Sequence, residues 1–365
     1  MGTNSAIEWT DHTFNPWTGC TKVSPGCANC YAARDSVRFP NIRGIWGDSG
    51  TRIVAVPDKW KEPLKWNKAA DLHHRPRIFC ASLGDIFEDW KGMLHYPDND
   101  PENERGIVTA WWRKSLGICR AGQTTVNLSD GDRHATMDNL RTELFRLIEA
   151  TPNLDWQLLT KRPENIRHLI PTDWLDQWPA NVWIGTTVET NKFAYRADII
   201  RTLPAPVKFI SAEPLIGPLD ELDLTGIDWL IVGGESGPGA RPMHPDWVRQ
   251  LRDECLDRVC PECEGRLGWS PEEHDTRPPC TWCNGERAAD AVAFLFKQWG
   301  EYRGFVPSEV GAGLDLAAAS GKPHKDWTDE SGARDGYTSV RVGKKEAGRE
   351  LDGRTWDEFP AGVVR

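Results

Sequence analysis

Short, nearly continuous runs of β-branched and aromatic residues recur along this chain, each ending in small or polar groups. They cover residues 13–19, 77–85, 154–162, 181–189, 207–214, 228–236 and 291–299. A strand with one solvated face would alternate; continuous apolar cores suit parallel strands covered on both faces. Between them lie amphipathic stretches at 137–150, with Leu140, Leu144, Leu147 and Ile148 at helical spacing, and at 163–170 and 192–203. Strand and helix in alternation predict an α/β fold. Polar groups collect at the C-terminal end of nearly every strand, so a partial or full TIM-like (β/α) barrel fits better than the alternative, a doubly wound open sheet. Residues 1–300 form the expected barrel. Residues 301–365 form a polar C-terminal extension, of which 351–359 is expected to dock back on the barrel.

Two segments interrupt the alternation. Residues 92–135 are long, polar and inserted between the second and third strands, which suits either a lid or a surface loop. Residues 255–286 carry Cys260-Pro-Glu-Cys263 and, sixteen residues on, Cys280-Thr-Trp-Cys283. Two such knuckles present four thiolates tetrahedrally, so a zinc-ribbon-like insertion stapled by zinc is expected, with a second iron-sulfur cluster as the competing occupant.

Charge and composition narrow the function classes. The 365 residues hold 44 Lys and Arg against 54 Asp and Glu, which gives no whole-protein attraction to nucleic acid. One local stretch, Lys59-Trp-Lys-Glu-Pro-Leu-Lys-Trp-Asn-Lys68 followed by His73-His-Arg-Pro-Arg77, interleaves cations with aromatics as a backbone-tracking surface would; an amphipathic helix with a solvated face is the plainer reading. No apolar leader and no run of about 18 apolar residues is present, so a cytoplasmic protein without membrane contact is expected. In a reducing compartment ten clustered cysteines indicate metal or redox chemistry rather than disulfides.

The sharpest candidate is Gly19-Cys20-Thr-Lys-Val-Ser-Pro-Gly-Cys27-Ala-Asn-Cys30-Tyr31. Three thiolates on one loop hold three irons of a 4Fe-4S cluster and leave the fourth open to a small molecule. The same three with His12 also make a complete zinc site. The loop follows the first strand and so belongs at a barrel mouth, where an incomplete ligand set is useful.

This loop resembles that of the radical S-adenosylmethionine superfamily, although its first gap holds six residues rather than the usual three and Asn29 stands where an aromatic is usual. More closely, the chain resembles the phage Gp37/Gp68 family (three-cysteine-motif, DUF5131-like). The matching segments include Asn15-Pro-Trp-Thr-Gly-Cys20, Ser82-Leu-Gly-Asp85, Leu159-Thr-Lys161-Arg-Pro163, Ser211-Ala-Glu213-Pro214, Gly233-Gly-Glu-Ser236 and Phe296-Lys297-Gln-Trp-Gly300. The resemblance implies a 4Fe-4S cluster on Cys20, Cys27 and Cys30, and S-adenosylmethionine cleaved to a 5'-deoxyadenosyl radical that acts on a nucleic acid or nucleotide. It also implies an electron donor, leaves room for a protein partner, and would put a phage-encoded chain in the host cytoplasm. Ser211, Glu213, Gly233, Gly234, Glu235 and Ser236 are then cofactor-binding candidates. For Gly233 and Gly234 a tight strand-to-loop turn is an equal reading. Lys161, Glu213 and Asp85 are the catalytic candidates; Asp85 and Lys297 have buried salt bridges as their bland role. The rival function is a non-catalytic, zinc-stabilised nucleic-acid or partner-binding protein.

Overall fold

The computed structural model describes residues 4–40, 44–70, 75–92, 94–95, 136–257, 292–305, 321–328 and 334–360. In chain order the strands among them are β1 (His12–Phe14), β2 (Trp17–Thr18), β3 (Arg52–Val54), β4 (Arg77–Cys80), β5 (Leu94–His95), β6 (Asp155–Thr160), β7 (Val182–Thr187), β8 (Lys208–Ala212), β9 (Trp229–Gly233), β10 (Ala293–Gln298), β11 (Tyr302–Phe305), β12 (His324–Thr328) and β13 (Arg334–Arg341).

Seven of these form one parallel sheet in the order β1-β4-β6-β7-β8-β9-β10. The order never reverses, so the sheet lacks the switch point of a doubly wound fold and curls as a half-barrel. Among the described residues it does not close into a full barrel. The outer edge of β10 instead meets the C-terminal segment in antiparallel fashion: Leu295 bridges Asp357, Phe296 N–H donates to the Trp356 carbonyl at 2.9 Å, and Glu358 N–H to that of Phe294 at 3.3 Å. These contacts cover an otherwise unpaired edge of the sheet. It also contains a three-stranded sheet, β11-β13-β12, that its polar composition did not announce.

The two faces of the half-barrel follow from the period of two along each strand. Ile78, Leu158, Ile184, Ile210, Leu230 and Phe294 pack outward in the main core with helices such as Met137–Glu149, whose Leu140, Leu144, Leu147 and Ile148 are all buried. Thr136 caps that helix through the Asn139 N–H. Phe79, Trp183, Phe209, Trp229 and Leu295 point the other way and meet Trp9. The Trp9 ring lies 4.5 Å from that of Phe79, and Phe359 lies 5.0 Å from Trp229 with the Arg77 guanidinium 4.1 Å over its ring. Arg77 and Trp229 begin their strands, so these aromatics plug the N-terminal end and leave the C-terminal end open.

The first strand is shorter than its hydrophobic run. Pro16, which has no N–H to give a ladder, separates β1 in the large sheet from β2, which pairs with β3 in a second small sheet, β2-β3-β5. Cys260, Cys263, Cys280 and Cys283, and with them the zinc-ribbon-like insertion, lie outside the described residues, as do most of the 92–135 insertion and Cys119.

Candidate functional site

A cavity of about 710 Å³ opens at the C-terminal ends of the strands, with Trp9 and Phe79 deep in its wall. Its size is that of a small-molecule site. Cys20, Cys27 and Cys30 all line it, together with Asp85, Lys161, Ser211, Glu213, Gly234, Glu235 and Ser236, so the sequence candidates from five different strand ends converge on one space. Gly233 lies just behind them: a Cβ there would come within 2.8 Å of Glu213 Oε1. None of the three cysteines is in a disulfide. Among the described residues no three His, Cys, Asp or Glu side chains converge closely enough to hold a single metal ion.

His12 is engaged elsewhere. It stands at the start of β1, its ring stacked 4.4 Å from Trp66 and its Nδ1 accepting the Asn4 N–H at 3.2 Å. The cysteines lie beyond the other end of that strand.

Buried polar contacts set the shape of the cysteine loop. At its start, Arg162 donates to Cys20 Sγ at 3.5 Å, to Asp85 Oδ2 at 2.9 Å, to the Thr21 carbonyl at 2.7 Å and to Glu88 at 3.3 Å. Glu88 is held in turn by Arg52 through two 2.8 Å bonds. Burial pushes the Cys20 thiol up to about 12, with Asp85 adding to the rise and Arg162 opposing it. Burial alone would lower the Arg162 pKa, but Asp85, Cys20 and Glu88 outweigh it and the guanidinium stays charged. In mid-loop, Gly26 lies against Glu189, where a Cβ would meet Oε1 at 2.5 Å, and Ser24 hydrogen-bonds the same carboxylate. Glu189 is fully buried and paired with Arg196 at 3.1 Å, with Lys161 Nζ at 3.9 Å. At the loop's end, Asn29 donates to Glu235 Oε2 and to the Gly239 carbonyl, while Arg241 joins Glu235 to the Pro25 carbonyl. The sheet is open, yet its C-terminal rim is bridged by this contact between the loops after β1 and β9.

A family model described as "Protein of unknown function (DUF5131)" matches residues 4–93, 98–262 and 281–360. The chain belongs to this family. The matched blocks contain the cysteine loop and every strand of the half-barrel. No curated protein and no solved structure matches the chain.

Within this DUF5131 chain the remaining candidates differ in how far they are free to act. Asp85 accepts from Phe87 N–H and Thr160 Oγ1 on one oxygen and from Lys161 N–H and Arg162 on the other, so its acceptor positions are filled. That is the geometry of a positioning residue. Glu235 is held below the usual carboxylate range: burial raises it, but hydrogen bonds from Arg241 and Asn29 prevail. Its carboxylate serves the loop, and Gly234 packs where a Cβ would strike the Trp299 carbonyl at 2.0 Å, so the glycines act first as close-packed turn residues. Glu213 and Lys297 face the cavity as a 2.8 Å ion pair with Ser211 beside them at 3.5 Å, and Lys161 reaches it from β6.

Sequence reading missed Glu189, Asn29 and Arg241 as loop anchors. Asn29 was visible only as a departure from an aromatic position. The 59–68 stretch resolves differently from a stacking surface: Trp60 and Trp66 are buried, Lys59 pairs with Glu62 and Lys61 with Asp58. Its aromatics belong to the core, and Lys59 and Lys61 to ordinary helix-surface pairs.

Proposed function

We propose that this protein is a radical S-adenosylmethionine enzyme that carries a 4Fe-4S cluster on Cys20, Cys27 and Cys30 and modifies or repairs a nucleic acid or nucleotide. The observation that carries this reading is the position of three thiols on one loop, at the C-terminal mouth of a sequentially ordered parallel half-barrel, around a cavity of small-molecule size. The ligand set fits a cluster in one further respect. Arg162 offers Cys20 a charged hydrogen bond, the kind of contact that tunes cluster potentials.

When bound, such a cluster supplies the electron that breaks the sulfonium bond of S-adenosylmethionine. The chain's own residues have the remaining tasks. Arg162, Glu189 and the Asn29–Glu235–Arg241 bridge hold the loop rigid, and the aromatic plug of Trp9, Phe79 and Phe359 keeps water from entering at the far end. Lys161 and the Glu213–Lys297 pair orient the polar groups of cofactor and substrate.

Anaerobic reconstitution followed by iron analysis and dithionite reduction with S-adenosylmethionine tests the reading. About four iron per chain, lost in the Cys20→Ser, Cys27→Ser and Cys30→Ser variants, and formation of 5'-deoxyadenosine are expected. Protein that takes up no iron and forms no 5'-deoxyadenosine overturns it.

A further inference from the structure

Lys297 and Gln298 are adjacent on β10, so in a regular strand only one of them would face the cavity. Both line it. The pairing of β10 with β9 slips between Phe296 and Gln298, and this bulge turns consecutive side chains to the same side. Lys297 closes on Glu213, while Gln298 donates through Nε2 to Ser236 Oγ at 3.0 Å. Gln298 is only 5% exposed, and its Oε1 is buried with no hydrogen-bond partner. Exchanging the amide's oxygen and nitrogen changes nothing essential, because Ser236 then donates and the nitrogen is left over. A buried polar group without a partner is costly to keep, and here it belongs to a side chain that lines a cavity.

We propose that Gln298, Ser236 and the Lys297–Glu213 pair form a recognition site for a nucleobase. The wall is electrically balanced, since Lys297 and Glu213 neutralise each other, so it does not suit a phosphate. It offers an amide end, a hydroxyl, a carboxylate and an ammonium in one place, which matches the mixed donors and acceptors of a base edge. The base belongs either to a nucleoside unit of the substrate or to the adenosine of S-adenosylmethionine. The inference deepens the proposed function, and its test reads neither iron nor radical chemistry, so either fails without the other.

Binding of adenosine, guanosine, cytidine and uridine to the full chain, followed by calorimetry, is the measurement. At least one nucleoside is expected to bind, inorganic phosphate is expected not to displace it, and Gln298→Met, which keeps the volume and removes the polar end, is expected to weaken binding about tenfold, as loss of one buried hydrogen bond does. Ser236→Ala frees the amide to turn and is expected to weaken binding less, while both variants keep the wild-type unfolding midpoint within a few degrees. Displacement of the nucleoside by S-adenosylhomocysteine assigns the site to the cofactor's adenosine; persistence of both ligands together assigns it to the substrate. Absence of nucleoside binding, displacement by phosphate, or unchanged affinity in both variants overturns the proposal. If Gln298→Met fails to fold, the Ser236→Ala affinity decides alone.

Discussion

Asn29 and Glu235, 206 residues apart in the chain, share a 3.0 Å hydrogen bond that joins the last turn of the cysteine loop to the loop after β9. Glu235 is 5% exposed and also holds Arg241, which reaches the Pro25 carbonyl. Two strand ends that the sheet itself leaves unconnected are thereby fixed at the rim. Replacing Asn29 with Ala removes one charged hydrogen bond while Arg241 continues to satisfy the carboxylate. The expected cost is about 1.5 kcal/mol in urea unfolding, at the low end for a bond to a charged group. Glu235→Ala strands Arg241 as well and is expected to cost more; equal costs for the two variants would contradict the bridge.

Arg162 is the most heavily committed side chain in the site, bonded to Cys20, Thr21, Asp85 and Glu88 with its guanidinium almost fully buried. Its removal leaves two buried carboxylates, only one of which keeps another arginine. Arg162→Met is expected to lose about 3–5 kcal/mol, the usual result of breaking a buried pair from one side. Arg162→Lys keeps the charge but not the fork that reaches four groups, and is expected to recover less than half of that loss in the same unfolding assay.

The two glycines at the end of β9, Gly233 and Gly234, have different neighbours and therefore different tolerance. A Cβ at Gly234 meets the backbone carbonyl of Trp299 at 2.0 Å, whereas one at Gly233 meets the end of the Glu213 side chain at 2.8 Å. Backbone just past the end of β10 has little room to move, but a carboxylate can swing. Gly234→Ala is expected to cost the upper end of the roughly 1–3 kcal/mol overpacking range or more, and Gly233→Ala the lower end. Thermal unfolding of the two variants checks the order; reversal of that order would refute the account.

The half-barrel was legible because its central strands, β6 to β9, are buried on both faces, which writes a continuous apolar run into the sequence. All seven runs correspond to strands. The site was legible for a related reason, since polar residues at the ends of such runs have few other places to go than the mouth. What escaped was whatever depends on partners distant in the chain. Glu189 reads as a strand-end acid, and only the fold sets it against Gly26 and Arg196. The run at 13–19 conceals the change of sheet at Pro16. β13 has a polar composition because the buried apolar residues of its sheet are few, Phe305, Trp327 and Val340, and its other buried positions are Thr338 and Ser339. Asp85 was a catalytic candidate on position alone, and four hydrogen-bond donors that lie elsewhere in sequence or in backbone now occupy it.

Asp155 supplies a pH dependence far from the mouth. It begins β6, is 6% exposed, and pairs with Arg75 at 2.9 Å, yet burial outweighs Arg75 and raises its carboxyl to about 6 from an ordinary 3.8. The folded state therefore binds this proton more tightly than the unfolded chain does. Its contribution to stability is complete below pH 3.8 and is lost as the pH rises through 6. Between pH 5 and pH 7 the loss amounts to about 1 kcal/mol. Other groups titrate in the same interval, so the comparison is with Asp155→Asn, which cannot ionise and keeps an acceptor for Arg75. The wild-type urea midpoint is expected to fall between pH 5 and pH 7 relative to that of Asp155→Asn, and parallel profiles would show that Asp155 is not raised by burial.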